Sequence, residues 1–366
     1  MKVLVTGDQG YIGSVLVKVL QEKGYEVYGL DVGYFAENKL ESCLEGYSRV
    51  SKDVRDVVLE DLEGIDAIIH LAGLSNDPLG EFNPSLTHEI NTHASIRLAE
   101  LAKKAGVKRF IFSSSQSMYG ISELDSELDE DNSEKNPVTA YASAKWDAEQ
   151  ALNSMSCREF IVTSFRPSTV FGASPRLRCD IVFNNLVASA YTTGRIEIMS
   201  DGTPWRPVVH IKDVSNAFIS GLEAPEDIIS GRSFNVGIND GNYSVRDLAE
   251  AANRSVPNSE LVFTGEHQDS RTYKVSFERI LTDLEGYYKP EWDLDRGGSE
   301  LVEMFKRINF TEIPSFKHLE ELRLGGLISC EKLISLNDLK GSISSNLKKL
   351  SVINCKNLKD ISILKN

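Results

Sequence analysis

Tyr141 and Lys145 stand four residues apart in the stretch "YASAK". On a helix that spacing puts a phenol and an amine on one face, one turn apart. A phenol held beside a cation can exchange a proton near neutral pH, because the positive charge favours the phenolate. The same spacing also arises between ordinary surface side chains, so its meaning depends on the rest of the chain. A second chemical signature lies near the N-terminus, where "TGDQGYIGS" carries Gly7, Gly10 and Gly13 directly after the apolar run "KVLVT". A glycine turn between strand and helix lets backbone approach a pyrophosphate, with helix N–H groups facing the anion. Gly7 suits the tight turn, Gly10 the close approach and Gly13 the packing of helix on sheet. Tyr11 and Ile12 open the helix at this point.

Asp31 ends the next strand candidate, "EVYGLD". A carboxylate there accepts hydrogen bonds from both ribose hydroxyls of adenosine and repels a 2′-phosphate, which favours NAD over NADP. Asp53 and Val54 follow the candidate strand "SRVSK", placed to flank an adenine ring by hydrogen bond and by packing. "HLAGLS" ends a fourth strand, where the backbone of Leu71 and Ala72 is expected along the cofactor. His70 reads as a packed strand-end residue.

These residues need strands and helices to hold them. After "KVLVT" come a helix over about Ile12–Lys23, the strands "EVYGLD" and "DAIIHLA", a helix from about Pro84 to Ala105 and the strand "RFIFSSS". A helix from Ala140 to about Leu152 and the strand "FIVTSFRP" follow. Alternating strands and helices indicate βαβ units and a parallel sheet. The near-continuous apolar strands fit a sheet covered on both faces. The predicted class is α/β: a Rossmann-type doubly wound parallel sheet, a smaller C-terminal substrate lobe and a leucine-rich extension. Residues 1–172 are expected to form the dinucleotide-binding domain, with contributions from about 208–240. Residues 173–310 are expected to be mainly the substrate lobe, and 311–366 the extension. In the extension "LEELRL" and "LKKLSV" share a pattern 28 residues apart. Two copies are too few for a solenoid core, so a helix with an irregular extension is the preferred reading.

The chain has 366 residues, a net charge of −14 and a pI near 5.0, which argues against nucleic-acid binding. The N-terminal pattern is not that of a signal peptide, and no apolar run is long enough to span a bilayer. Five scattered cysteines without metal spacing fit reduced thiols in a cytoplasm. No metal site is expected.

The ordered motifs "TGDQGYIG", "LD", "DV", "HLAG", "FSSSQSMYG", "YASAK" and "RPSTVFG" resemble the extended short-chain dehydrogenase/reductase family. The likeness is to its NAD-dependent sugar-nucleotide epimerase/dehydratase branch, of the UDP-glucose 4-epimerase type. It runs to about Phe310 and includes "FNNLV", "PWRPVVHIKDV" and "FNVG". The resemblance implies Tyr141 as general acid/base, Lys145 on the nicotinamide ribose and Ser115 orienting the sugar hydroxyl. It also implies cofactor contacts at Asn91 and Pro167. Substrate contacts are implied at Gln116, Asn184 and Asn185, with Arg206 and Arg271 on a diphosphate and Arg176 and Arg178 as additions. Asp8 departs from the pattern, which has a small residue there, and is read as tolerated turn chemistry.

The activity implied is NAD-dependent epimerisation of a nucleoside-diphosphate sugar through transient oxidation at C4. A 4-ketoreductase or a dehydratase is the alternative, and a non-catalytic NAD-binding regulator is the alternative of another class. The dehydratases of this branch carry an Asp-Glu pair where this chain has Gln116 and Ser117. A homodimer through helices near Pro84–Ala105 and Ala140–Leu152 is also implied.

Overall fold

The computed structural model describes residues 1–34, 40–41, 46–75, 80–81, 83–120, 126–265 and 272–311, and two short strands at 321–323 and 349–351. Arg271 and most of the leucine-rich extension lie outside the described residues. The chain divides into two compact units, Met1–Thr311 and Glu312–Asn366.

The first unit is built on a seven-stranded sheet. Its first strands are β1 (Lys2–Thr6), β2 (Glu26–Asp31) and β3 (Ser48–Ser51), with helix α1 (Tyr11–Glu22) between β1 and β2. β4 (Ala67–His70) follows, then a short helix Pro84–His88, a π turn Glu89–His93 and α2 (Ala94–Ala105). β5 (Arg109–Ser113), α3 (Ala140–Ser154) and β6 (Ile161–Pro167) complete the run. β4, and β6 throughout its length, are buried, as a sheet covered on both faces requires.

Beyond β6 the chain forms β7 (Thr169–Phe171), α4 (Val182–Thr193), β8 (Arg195–Ile198), β9 (Trp205–His210) and α5 (Ile211–Glu223). β10 (Arg232–Val236), β11 (Asn242–Ser244), α6 (Val245–Ser255), β12 (Glu260–Phe263) and α7 (Leu294–Arg307) follow. The large sheet has the order β10-β6-β5-β4-β1-β2-β3, parallel throughout. β7, β9 and β11 make a smaller sheet, and β8 pairs with β12.

Strand order reverses between β1 and β4. In open α/β sheets the crevice at such a reversal, beyond the C-terminal strand ends, takes the ligand. Two buried clusters hold helices to the sheet, one packing α1 and α5 on one face and the other packing α2 and α3 on the opposite face.

The long helix expected over Pro84–Ala105 is interrupted by its π turn. The widened turn includes Asn91, whose amide donates to the Leu74 carbonyl (2.9 Å) and accepts from the Leu74 N–H (2.8 Å). A single such turn inside a helix commonly re-aims one side chain at a site. In the second unit Glu321–Arg323 and Lys349–Ser351 pair in parallel, with Glu321 level with Lys349. Three residues of each look-alike segment therefore stand side by side.

Candidate active site

The glycine turn lies at the sheet reversal. Gly7 has φ +75°, and a Cβ on it would fall 2.8 Å from the Ala72 nitrogen, so the loops after β1 and β4 meet at a glycine-only contact. A Cβ on Gly13 would fall 2.1 Å from the Gly7 carbonyl oxygen, so the helix can begin this close to the turn only with glycine. Leu71 N–H donates to the Thr6 carbonyl (3.1 Å), and Ala72 N–H donates to Thr6 Oγ1 (3.2 Å). α1 starts from Gly10 with no side-chain cap and no acidic residue in its first turn. The N–H groups of such a helix start favour an anion. Asp31 stands at the end of β2, accepting from Gly33 N–H (2.7 Å) and Gln9 N–H (3.2 Å). Burial pushes its carboxyl up from the ordinary range, against those two donors. An uncapped helix start beside a strand-end carboxylate fits the pyrophosphate and the ribose of a dinucleotide.

Other residues expected at the cofactor have local partners. Asp53 is paired with Arg55 through both oxygens (3.0 and 2.8 Å), and Arg55 also reaches Glu89 at 3.0 Å. Val54 beside it is buried. Both hydrogen-bonding groups of Asn91 are engaged by Leu74, so Asn91 bears on the crevice through the loop it clamps. His70 is buried between Thr6 Oγ1 (2.6 Å) and Ser95 Oγ (2.8 Å). Burial brings its pKa down to about 3, which keeps it neutral and structural.

Tyr141 and Lys145 come from the first turns of α3, which Thr139 caps by accepting from Ala142 N–H (3.2 Å). Lys145 is 5% exposed. Its Nζ donates to the Ser113 carbonyl at 2.7 Å and lies 4.8 Å from the centre of the Phe112 ring. Burial brings this amine down to about 8. Ser113 ends β5, two residues before Ser115, so the lysine ties α3 to the strand end that carries the serine. Ser115 Oγ accepts from Ser117 N–H (3.1 Å) and lies 2.9 Å from Ser117 Oγ. Gln116 is 2% exposed and donates to the Arg166 carbonyl at 3.0 Å. Its side-chain oxygen and the Ser114 hydroxyl are buried without a hydrogen-bond partner among the described residues. Pro167 ends β6 level with Val236 of β10.

Sequence patterns did not reveal how the helix after the glycine turn is tied to the segment after β7. Tyr11 Oη donates to the Gly172 carbonyl (2.9 Å), and Asn184 accepts from Gly172 N–H (2.9 Å). Asn184 is fully buried, and its amide nitrogen also donates to Tyr11 Oη (3.1 Å) and to the Arg178 carbonyl (3.0 Å). It therefore lies beneath the crevice wall. Asn185 donates to the Cys179 carbonyl at 2.9 Å. Arg178 pairs with Asp180 and donates to the Ser75 carbonyl (3.3 Å). Arg206 donates to its neighbour's carbonyl, Trp205, at 2.8 Å, and its residue pairs with Tyr243 across β9 and β11. The contacts of Tyr11 with Gly172 and Asn184, of Arg178 with Ser75 and of Arg206 with Tyr243 join residues far apart in the chain, and no local spacing announces them.

Glu300 of α7 adds a charged anchor below the same loop. It contacts His210 Nε2 (2.9 Å) and Lys212 Nζ (2.5 Å), and His210 stacks on Trp292 at 4.2 Å. Burial alone would raise the Glu300 carboxyl, but Lys212 and His210 outweigh it and hold the group at about 2. A folded-state pKa below the ordinary 4.5 means this stabilisation is complete above pH 4.5 and lost as pH falls toward 2. Glu300→Gln is therefore expected to flatten the fall of Tm over that acid window. An unchanged acid limb in scans from pH 5 to 2.5 would show that the anchor contributes nothing.

Residues 3–237 match the family model described as the NAD dependent epimerase/dehydratase family. The chain is 30% identical over 286 residues to UDP-glucose 4-epimerase of Bacillus subtilis, covering 69% of this chain and 81% of that protein. It is 29% identical over 290 residues to the human UDP-glucose 4-epimerase, covering 69% and 82%. Among solved structures it resembles MoeE5 in complex with UDP-glucuronic acid and NAD, at 25% identity and a TM-score of 0.71 over 84% of this chain and 99% of that one. The UDP-glucose 4-epimerase of Thermotoga maritima shares the fold, with a TM-score of 0.72 at 24% identity over 84% and 99%.

Proposed function

Because the chain belongs to the NAD dependent epimerase/dehydratase family, we propose that it is a sugar-nucleotide epimerase that inverts a stereocentre by transient oxidation at sugar C4. The observation that carries this reading is the 2.7 Å contact from Lys145 Nζ to the Ser113 carbonyl, which sets the Tyr141 helix beside the Ser115 strand end. Bound in the crevice, NAD supplies the two-electron acceptor and donor at C4.

The chain's own residues have the proton and the geometry to manage. Tyr141 takes the proton of the C4 hydroxyl as the carbon is oxidised and returns it when the carbon is reduced. Ser115 orients that hydroxyl. Lys145 holds the nicotinamide ribose, and its charge favours the phenolate of Tyr141. Gly7, Gly10, Tyr11, Ile12 and Gly13 carry the pyrophosphate, and Asp31 the adenosine ribose. Asp53, Val54, Leu71, Ala72 and Pro167 line the rest of the cofactor path. Asn184 works one layer lower, fixing Tyr11 and Gly172. Arg206 and Arg271 are assigned to the diphosphate for their forked donors, and Asn185 to the substrate. UDP-sugars are the first substrates to try, since the relatives' names specify them. The reading also carries a homodimer through the helices around Pro84–Ala105 and Ala140–Leu152.

Dehydration is disfavoured by Gln116 and Ser117. Eliminating water across C5 and C6 needs a group to remove the C5 proton and a group to protonate the leaving oxygen. An amide and an alcohol do neither near neutral pH. Mass spectrometry after incubation with a panel of UDP-, dTDP-, GDP- and CDP-sugars is expected to show a product of unchanged mass, with no net NADH at 340 nm. A product lighter by one water would overturn the epimerase reading, and stoichiometric consumption of NADH would replace it with a ketoreductase.

A further inference from the structure

Asp8 interrupts the glycine turn at a position where a small residue satisfies the backbone. The side chain is buried, at 1% residue exposure, and it is not idle. Its Oδ2 accepts from Tyr47 Oη at 2.6 Å and from Arg49 Nε at 2.9 Å. Arg49 also donates through Nη2 to the Tyr47 oxygen, and its guanidinium lies 4.8 Å from the centre of the Tyr47 ring. Asp8 Oδ1 has no hydrogen-bond partner among the described residues.

This cluster sits against β2. A Cβ on Gly29 would fall 2.4 Å from Asp8 Oδ2, and Arg49 of β3 is in register with Gly29. Asp31 is two residues further along β2, level with Ser51, and the residue after Asp8 donates its N–H to the Asp31 carboxylate. Two carboxylates and one guanidinium therefore meet at the end of the crevice assigned to the adenosine ribose. Burying a carboxylate with one oxygen unpaired is unfavourable, and turn geometry alone does not call for it. Arg49 explains the arrangement better. A guanidinium that far along an edge strand, with a side chain still 32% exposed, would be a natural partner for a 2′-phosphate if it were released.

We propose that Asp8 is a cofactor-specificity residue: it fastens Arg49 and Tyr47 against β2, withholding the guanidinium from a 2′-phosphate while adding a second negative charge beside Asp31. The inference rests on the reading of this crevice as the NAD site and extends the selection of NAD from one residue to a charged cluster.

Fluorescence or calorimetric titration of NAD and NADP against the full chain tests it, using wild type, Asp8→Gly, Arg49→Met and the double variant. Asp8→Gly is expected to tighten NADP by roughly ten- to a hundredfold, the size of one new charge-assisted contact, and to change NAD by less than about threefold. In the double variant the gain is expected to disappear, because the cation that produced it is gone. Asp8→Asn, which keeps the volume and removes the charge, should move the NADP affinity in the same direction and serves if the glycine variant does not fold. An unchanged NAD-to-NADP ratio in both Asp8 variants, or a gain that survives Arg49→Met, overturns the role of Asp8 alone. A wild type that binds neither dinucleotide overturns the cofactor reading and this inference with it.

Discussion

Replacing Tyr141 by phenylalanine is expected to lower kcat by about 10²–10⁴, the contribution of one positioned general acid/base, with NAD still bound. The substitution removes the only titrating atom of that side chain and leaves the ring to pack. Tyr141 lies in the first turn of α3, where its Cβ is 3.3 Å from the position a Cβ would take on Gly80. The helix is capped by Thr139 and anchored through Lys145, neither of which needs the phenol oxygen. The defect should therefore appear in kcat and leave cofactor affinity within a few-fold. The pH profile of the wild type supplies a second readout. Burial places Lys145 at about 8, so its charge, present below that pH, is lost above it. Support for the phenolate then weakens, and kcat should decline on the alkaline side with Lys145 as the controlling group. Turnover of Tyr141→Phe within about threefold of wild type would remove Tyr141 from the chemistry.

The parallel sheet was legible because its inner strands β1, β4, β5 and β6 are short, mostly apolar runs, and the helices between are closed by residues such as Gly106. The glycine turn was legible because its glycines act through backbone geometry that local sequence specifies. What escaped is set by side-chain partners that the three-dimensional fold selects. Nothing local to "FNNLV" shows that the Asn184 amide is engaged by Gly172, Tyr11 and Arg178. The π turn around Asn91 depends on Leu74, 17 residues earlier. Asp53 was placed correctly after its strand, but its pairing with Arg55 follows from the three-residue helical turn that it caps. Asp8, read as plain turn chemistry, is a buried ionic contact because Tyr47, just before β3, and Arg49, on β3, arrive beside it.

A second large effect is expected further along α3. Glu149 lies one turn beyond Lys145, and its carboxylate is 1% exposed. Arg166, at 3% side-chain exposure, donates to it from Nε (3.1 Å to each oxygen) and Nη2 (2.6 Å). Ser233 donates to the same carboxylate at 2.7 Å. Arg166 Nη1 reaches Tyr119 Oη at 2.7 Å, and Tyr119 donates to Asn235 at 2.9 Å. The Arg166 carbonyl accepts from Gln116, the neighbour of Ser115. The knot thus joins α3, β6, β10 and the turn after β5, the elements that carry Tyr141, Pro167 and Ser115. Arg166→Met would leave Glu149 buried with Ser233 as its remaining hydrogen-bond donor among the described residues. Breaking a buried pair from one side costs about 3–5 kcal/mol, since the uncompensated charge keeps its desolvation penalty. For a unit of this size that lowers Tm by on the order of 5–15 °C. The double variant Arg166→Met/Glu149→Leu should recover much of the loss, because it removes both charges from the interior together. If the single variant melts within about 2 °C of wild type, or the double variant is worse than the single by the full cost of a second lesion, the knot is not the ionic unit that the distances describe.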